Sequence, residues 1–188
     1  MLRVADVVVA AEKGLLQLCD KLGLSLPGET WLVISIQKQR LYRVSSTGEE
    51  LSSYAISSAI KGVGNLQGSL QTPLGLHSIA EKIGGGCAAG EIFKGRQSTG
   101  EIAKTELQAR TTGVDCITSR ILWLQGLEPG VNQGEDVDSY QRYIYIHGTH
   151  EEGLIGQPAS IGCIRMYNED VIELYQHIDK GSWVYILE

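Results

Sequence analysis

Tyr145-Ile146-His147-Gly148-Thr149-His150, followed after a loop by Ala159-Ser160-Ile161-Gly162-Cys163-Ile164-Arg165-Met166, decides how the rest of the chain is read. His147 closes an apolar strand candidate and stands beside a glycine. Cys163 follows a glycine just ahead of a helix-capping stretch. Gly153, Gly156 and Pro158 lie between them, so the loop can fold back and bring imidazole and thiol together. A cysteine attacks as its thiolate and needs a neighbouring base. A histidine supplies one because its pKa lies near working pH. A backbone carbonyl or carboxylate must then fix the imidazole tautomer. Gly162 lets the backbone bend around a substrate, leaving the amides of Gly162 and Cys163 to donate to a developing oxyanion. Chemistry alone leaves alternatives open. Buried cysteines are commonly inert packing residues. His147, His150 and Cys163 also form a zinc-ligand set, although H-x-x-H is awkward on a glycine-bearing strand end.

Working outward, β patterns surround this stretch. Trp31–Ile36 is a short apolar strand, residues 37–40 turn, and Leu41–Val44 returns as a hairpin. Leu51–Ile60, His77–Ile83, Ile117–Leu124, Tyr143–Ile146 and Trp183–Leu187 are further strand candidates. Gly62–Gly75 and Glu128–Tyr140 are loops. Gly84–Gly113 opens on three glycines and has few apolar residues, which predicts a flap or binding loop with a short helix around Ile102–Ala109. Asn168 is placed to cap a helix with Glu169 and Asp170 in its first turn and Val171, Leu174, Tyr175 and Ile178 buried. At the N-terminus, Val4, Val8, Ala11, Leu15, Leu18 and Leu22 share one helical face, giving an amphipathic helix over Ala5–Leu22 that Gly23 and Pro27 end. The expected architecture is mainly β with a few helices. Residues 1–27 form a helical segment packed on a domain of residues 28–188.

Composition agrees. The chain has 188 residues, is 43% hydrophobic and 20% charged, and 23 residues are glycine, well above the usual 7% or so. A net charge of -6 gives no basic footprint for nucleic acid. No stretch approaches the roughly 20 apolar residues of a membrane helix. The run Val7–Ala11 is cut by Glu12 and Lys13, too short for a secretory signal. Cys19, Cys87, Cys116 and Cys163 make no C-x-x-C pair and read as free thiols. Cys19 and Cys116 read as packing residues, Cys87 as part of the flap, and His77 and His177 as structural or surface histidines.

The run His147–Met166 resembles the signature of the L,D-transpeptidase catalytic domain, the YkuD-like bacterial cell-wall family. That signature pairs a His-Gly with a later Ser/Thr-His-Gly-Cys, an apolar residue and Asn or Arg. Trp31–Tyr42, Thr72-Pro73-Leu74-Gly75, Ala80–Gly86 and Thr118–Leu122 resemble other parts of the family, from about Gly28 to Glu188. The resemblance implies a β-sandwich or open barrel with a Cys/His cleft. It implies Cys163 as nucleophile, His147 as base, the Gly148 carbonyl orienting the imidazole, and the Gly162 and Cys163 amides in the oxyanion hole. Ser160 matches the motif's Ser/Thr. Arg165 matches the closing position, for a substrate carboxylate or for a structural salt bridge. His150 points into the cleft or into solvent. Ile161 stands where the family has a second histidine, beside the nucleophile, which bears on substrate or acceptor preference. The His147–Cys163 spacing is slightly short for the family, implying a trimmed loop. No cofactor and no metal are implied.

The family cleaves the bond before the terminal D-alanine of a peptidoglycan tetrapeptide stem through a cysteinyl acyl-enzyme. The acceptor then decides the outcome. With no signal visible and no wall-binding module, the expectation is water: an L,D-carboxypeptidase trimming free muropeptides in the cytoplasm as a monomer. The alternatives are an L,D-transpeptidase forming 3-3 cross-links, periplasmic if a signal has been removed, a non-catalytic stem-peptide binder, and an unrelated cysteine hydrolase.

Overall fold

The computed structural model describes residues 4–24 and 28–188, with side chains from residue 7 onward. Pro27 lies outside the described residues. A helix α1 (Val4–Leu22) precedes ten strands: β1 (Thr30–Ser35), β2 (Arg40–Ser45), β3 (Glu50–Ser57), β4 (Gly75–Ile83), β5 (Glu91–Lys94), β6 (Gln97–Ile102), β7 (Ile117–Gly126), β8 (Tyr145–Thr149), β9 (Ile164–Met166) and β10 (Trp183–Leu187). A second helix, α2 (Asn168–His177), lies between β9 and β10. The strands form one mixed sheet in the order β4-β10-β1-β2-β3-β9-β8-β7-β5-β6. Pairing of β4 with β7 closes that sheet into a ring, and the β5–β6 hairpin hangs from β7 outside it.

The ring follows from residues buried on both faces. β1 is a near-continuous apolar run and β7 is buried along almost its whole length, and strands of that kind need cover on each side. The inward face packs Leu32, Ile34, Leu41, Ile56, Ile79, Leu122, Ile146, Ile164 and Met166 with Val171 and Leu174 of α2. A second cluster joins Val7, Val8, Ala11, Leu15 and Cys19 of α1 to Trp31, Val33, Tyr42, Val44 and Leu76. Each fully buried Val or Leu there contributes about 1.5–3 kcal/mol. Helix α1 stops at Gly23, where the Leu24 amide turns back to the Cys19 carbonyl at 3.1 Å.

Four expectations change. The flap holds the β5–β6 hairpin instead of a helix around Ile102–Ala109, and β6 is exposed along its whole length. The strand expected over Leu51–Ile60 ends at Ser57. Cys163 leads into a three-residue strand, β9, before α2 begins. Asn168 is the first residue of α2 and its side chain faces inward. It accepts from Thr118 Oγ1 and Ser119 Oγ and donates to the Thr149 carbonyl and Glu152 Oε1. These bonds stitch β7, β8 and α2 together beside His147.

Candidate active site

β8 and β9 run parallel with Ile146 opposite Ile164 and His147 opposite Arg165. Side chains alternate across a strand, so Ile146, Ile164 and Met166 enter the core while Tyr145, His147, Cys163 and Arg165 share the opposite face. β7 adds Ile121 and Trp123 to that face, opposite His147 and Tyr145. His147 therefore sits inside a strand that starts two residues later than the sequence suggests, and it is only 1% exposed.

His147 Nδ1 lies 2.7 Å from the Gly148 carbonyl oxygen. A carbonyl can only accept, so Nδ1 carries the proton and Nε2 presents a lone pair. Burial pushes the His147 pKa down, with Arg165 acting in the same direction, while Asp115 and the Gly148 carbonyl push it up. The net shift is downward, so the imidazole is neutral at neutral pH. Cys163 Sγ accepts from the Tyr145 amide and faces the Tyr143 carbonyl, each at 3.4 Å. Burial pushes its thiol up to about 12, partly offset by the Tyr145 amide and by Arg165 and Arg142. Thiol and imidazole are thus both neutral at rest, an arrangement suited to proton transfer during attack.

Two glycines fix this geometry. Gly162 has φ +140, and a Cβ there would meet Ile144 and the Gln71 carbonyl. A Cβ on Gly148 would lie 2.7 Å from Asn168 Oδ1 and 2.8 Å from the Thr118 carbonyl oxygen. Gly148 is thus packed tightly against the protein itself. The Gly162 amide donates to Ser160 Oγ, and the Ser160 hydroxyl donates to the Cys163 carbonyl at 2.6 Å. Ser160 accordingly builds the turn that carries Cys163 and occupies the Gly162 amide assigned above to an oxyanion. The Tyr145 amide, aimed at Sγ, is a donor that the sequence did not suggest.

Arg165 is held in a buried ion cluster. It is 3% exposed, with one Nη at 2.7 Å from Asp115 and the other at 3.0 Å from Glu151. Glu151 also accepts from the Thr112 amide and from the hydroxyls of Thr111 and Thr112. His150 is buried, not solvated, with Nε2 2.9 Å from Thr112 Oγ1. The cluster pins the base of the flap behind His147. Ile161 is 59% exposed and lines a cavity of about 190 Å³ with Leu70, Arg142, Tyr143 and Ile144. His77 is buried and structural, its Nδ1 3.0 Å from the Gly75 carbonyl and its Nε2 2.9 Å from Ser139 Oγ.

Residues 29–186 match the YkuD family, the L,D-transpeptidase catalytic domain. The chain belongs to that family. It is 43% identical over 56 residues to the putative L,D-transpeptidase YqjB of Bacillus subtilis, covering 29% of this chain and 32% of that protein. It is 51% identical over 41 residues to the putative L,D-transpeptidase YkuD of the same organism, covering 22% and 25%. The matched stretches thus span about a third or less of those curated relatives. Among solved structures, the L,D-transpeptidase from Xylanimonas cellulosilytica superposes with a TM-score of 0.52 at 17% identity, over 91% of this chain and 68% of that one. L,D-transpeptidase 3 from Mycobacterium tuberculosis, in complex with a faropenem-derived adduct, gives 0.50 at 15% identity, over 85% and 60%. At these identities the likeness is one of fold.

The L,D-transpeptidase fold of this chain also brings together residues that no local pattern flags. Asp115 and Glu151 meet on Arg165 from separate segments. Arg142 donates to the carbonyls of Gly64, Asn65 and Gln71, fixing the loop beside Gly162. Trp123 stacks on Tyr140 at 4.0 Å and meets Tyr145 edge-on, forming an aromatic wall next to Cys163. Three of its rings, Tyr140, Tyr143 and Tyr145, come from the short run of sequence just before His147, and Trp123 joins them from β7.

Proposed function

We propose that this chain is an acyl-transferring L,D-transpeptidase acting on peptidoglycan stem peptides. Cys163 Sγ attacks the carbonyl at the L-centre of the diamino acid before the terminal D-alanine. The thiol proton passes to His147 Nε2 and then to the leaving amine, so a C–S bond replaces the C–N bond and D-alanine departs. An amine of a second stem then attacks the thioester and gives its proton to His147. Sulfur leaves as thiol and a 3-3 cross-link forms. The Tyr145 amide faces the charge that develops beside the reacting sulfur.

The observation that carries this reading is the 2.7 Å contact of His147 Nδ1 with the Gly148 carbonyl, which leaves Nε2 as a base on the same sheet face as Cys163. The relatives' names favour an amine acceptor. The hydrolytic reading rested on the lack of a visible signal and of a wall-binding module, neither of which bears on the chemistry of the site. Incubation with a defined tetrapeptide separates the outcomes. Free D-alanine with a dimer linked between diamino acid residues is expected. Tripeptide without dimer assigns the acceptor to water, and no D-alanine release overturns the acyl-transfer reading.

A further inference from the structure

With Arg165 tied to two acidic residues, the site needs another group to recognise the carboxylates of a stem peptide. Most nearby cations are also committed. Arg142 donates to three backbone carbonyls, Arg120 to those of Cys87 and Ser119, and Lys82 to those of Tyr175 and Ile178. Arg96 differs. It stands at the tip of the β5–β6 hairpin, and among the described residues its guanidinium makes no close ion pair and no hydrogen bond to a backbone carbonyl, the Glu81 carboxylate acting on it only at longer range. It lies 4.7 Å from the centre of the Trp123 ring and 5.2 Å from that of Tyr143, and donates a long 3.4 Å bond to the Tyr145 hydroxyl.

The same two tyrosines reach the nucleophile. The Tyr145 amide and the Tyr143 carbonyl each lie 3.4 Å from Cys163 Sγ. Arg96 and Sγ thus sit at opposite ends of Tyr145 and Tyr143. Cation–π contact and the one long bond to the Tyr145 hydroxyl leave most of the guanidinium's donors unused, and cation–π attraction is weak where water still reaches the charge. A carboxylate gripped in two-pronged fashion by the arginine fork gains more, through charge-assisted hydrogen bonds. Glu81, on the same wall, is engaged by the Tyr140 hydroxyl. We infer that Arg96 is the specificity-determining receptor for a carboxylate of the donor stem, parked on Trp123 and Tyr143 until the substrate arrives. This rests on the acyl-transfer reading above. The carboxylate is either that of the leaving residue, two bonds from the departing nitrogen, or one on the side chain of the residue before the scissile bond.

The test uses the full chain, R96Q and R96K, and three stems: the free acid, its C-terminal carboxamide, and a stem with the side-chain carboxylate amidated. Release of the leaving amine is followed. R96Q is expected to raise KM for the free acid about 10- to 100-fold with kcat little changed, and R96K to recover part of the loss. The amidated stem that wild type already handles poorly, and that R96Q does not worsen, identifies the carboxylate. Equal losses on all three stems, or no loss, overturn the inference while wild-type turnover upholds the acyl-transfer reading. A wild type inert towards every stem overturns both.

Discussion

His147 and Gly148 are consecutive in β8, and the imidazole of the first donates to the carbonyl of the second at 2.7 Å. The tautomer is thereby set by the strand's own backbone, without an acidic partner. Arg165 lies opposite His147 in the register and holds the nearby Asp115 in an ion pair.

The pH profile follows. Burial lowers the His147 pKa below 6.5, so the base protonates and fails only below that value. Burial raises the Cys163 thiol to about 12, so thiol ionisation brings no alkaline limb through pH 10. We expect kcat/KM to fall on the acid side with a midpoint below 6.5. A midpoint above 7 would mean a resting thiolate–imidazolium pair.

Gly148→Ala places a methyl group against the Thr118 carbonyl and Asn168, neither of which has room to give. It should cost about 1–3 kcal/mol of stability, as overpacking does, and activity should fall further than stability because His147 moves with the strand. Urea denaturation and turnover measured side by side check this. A fully active variant of wild-type stability would contradict the packing argument.

Arg165→Met leaves Asp115 and Glu151 facing each other at the base of the flap. Removing one partner from a buried ion cluster typically costs about 3–5 kcal/mol. Equilibrium unfolding should show a loss of that size, with KM for the stem unchanged in the folded fraction. Intact stability with a raised KM would return Arg165 to substrate binding.

Much of this was legible because it is local. The apolar runs and the turn between Trp31 and Val44 specify the β1–β2 hairpin, and the spacing of Val8, Ala11 and Leu15 specifies α1. Strand β6 was missed because Gln97–Ile102 is exposed throughout, so no inward-facing alternation marks it. Strand β9 has three residues, too few to show a period. Asn168 looked like a cap because its bonds to Thr118, Ser119 and Thr149 depend on strands distant in sequence. The commitments of Arg165 and the seating of Arg96 on Trp123 and Tyr143 are tertiary in the same sense. In the site, the His147–Gly148 contact joins neighbours in sequence, whereas the Ser160 hydroxyl's hold on the Gly162 amide depends on the local turn that no pattern announces.

The central claim is that Cys163 carries the acyl group. Intact mass spectrometry of wild type, Cys163→Ala and Cys87→Ala after brief exposure to a tetrapeptide, with peptide mapping, tests it most directly. Wild type and Cys87→Ala should each gain one tripeptidyl group, mapped to Cys163, and Cys163→Ala should gain none. An adduct on the Cys163→Ala protein, or one mapped to another residue, would contradict the account.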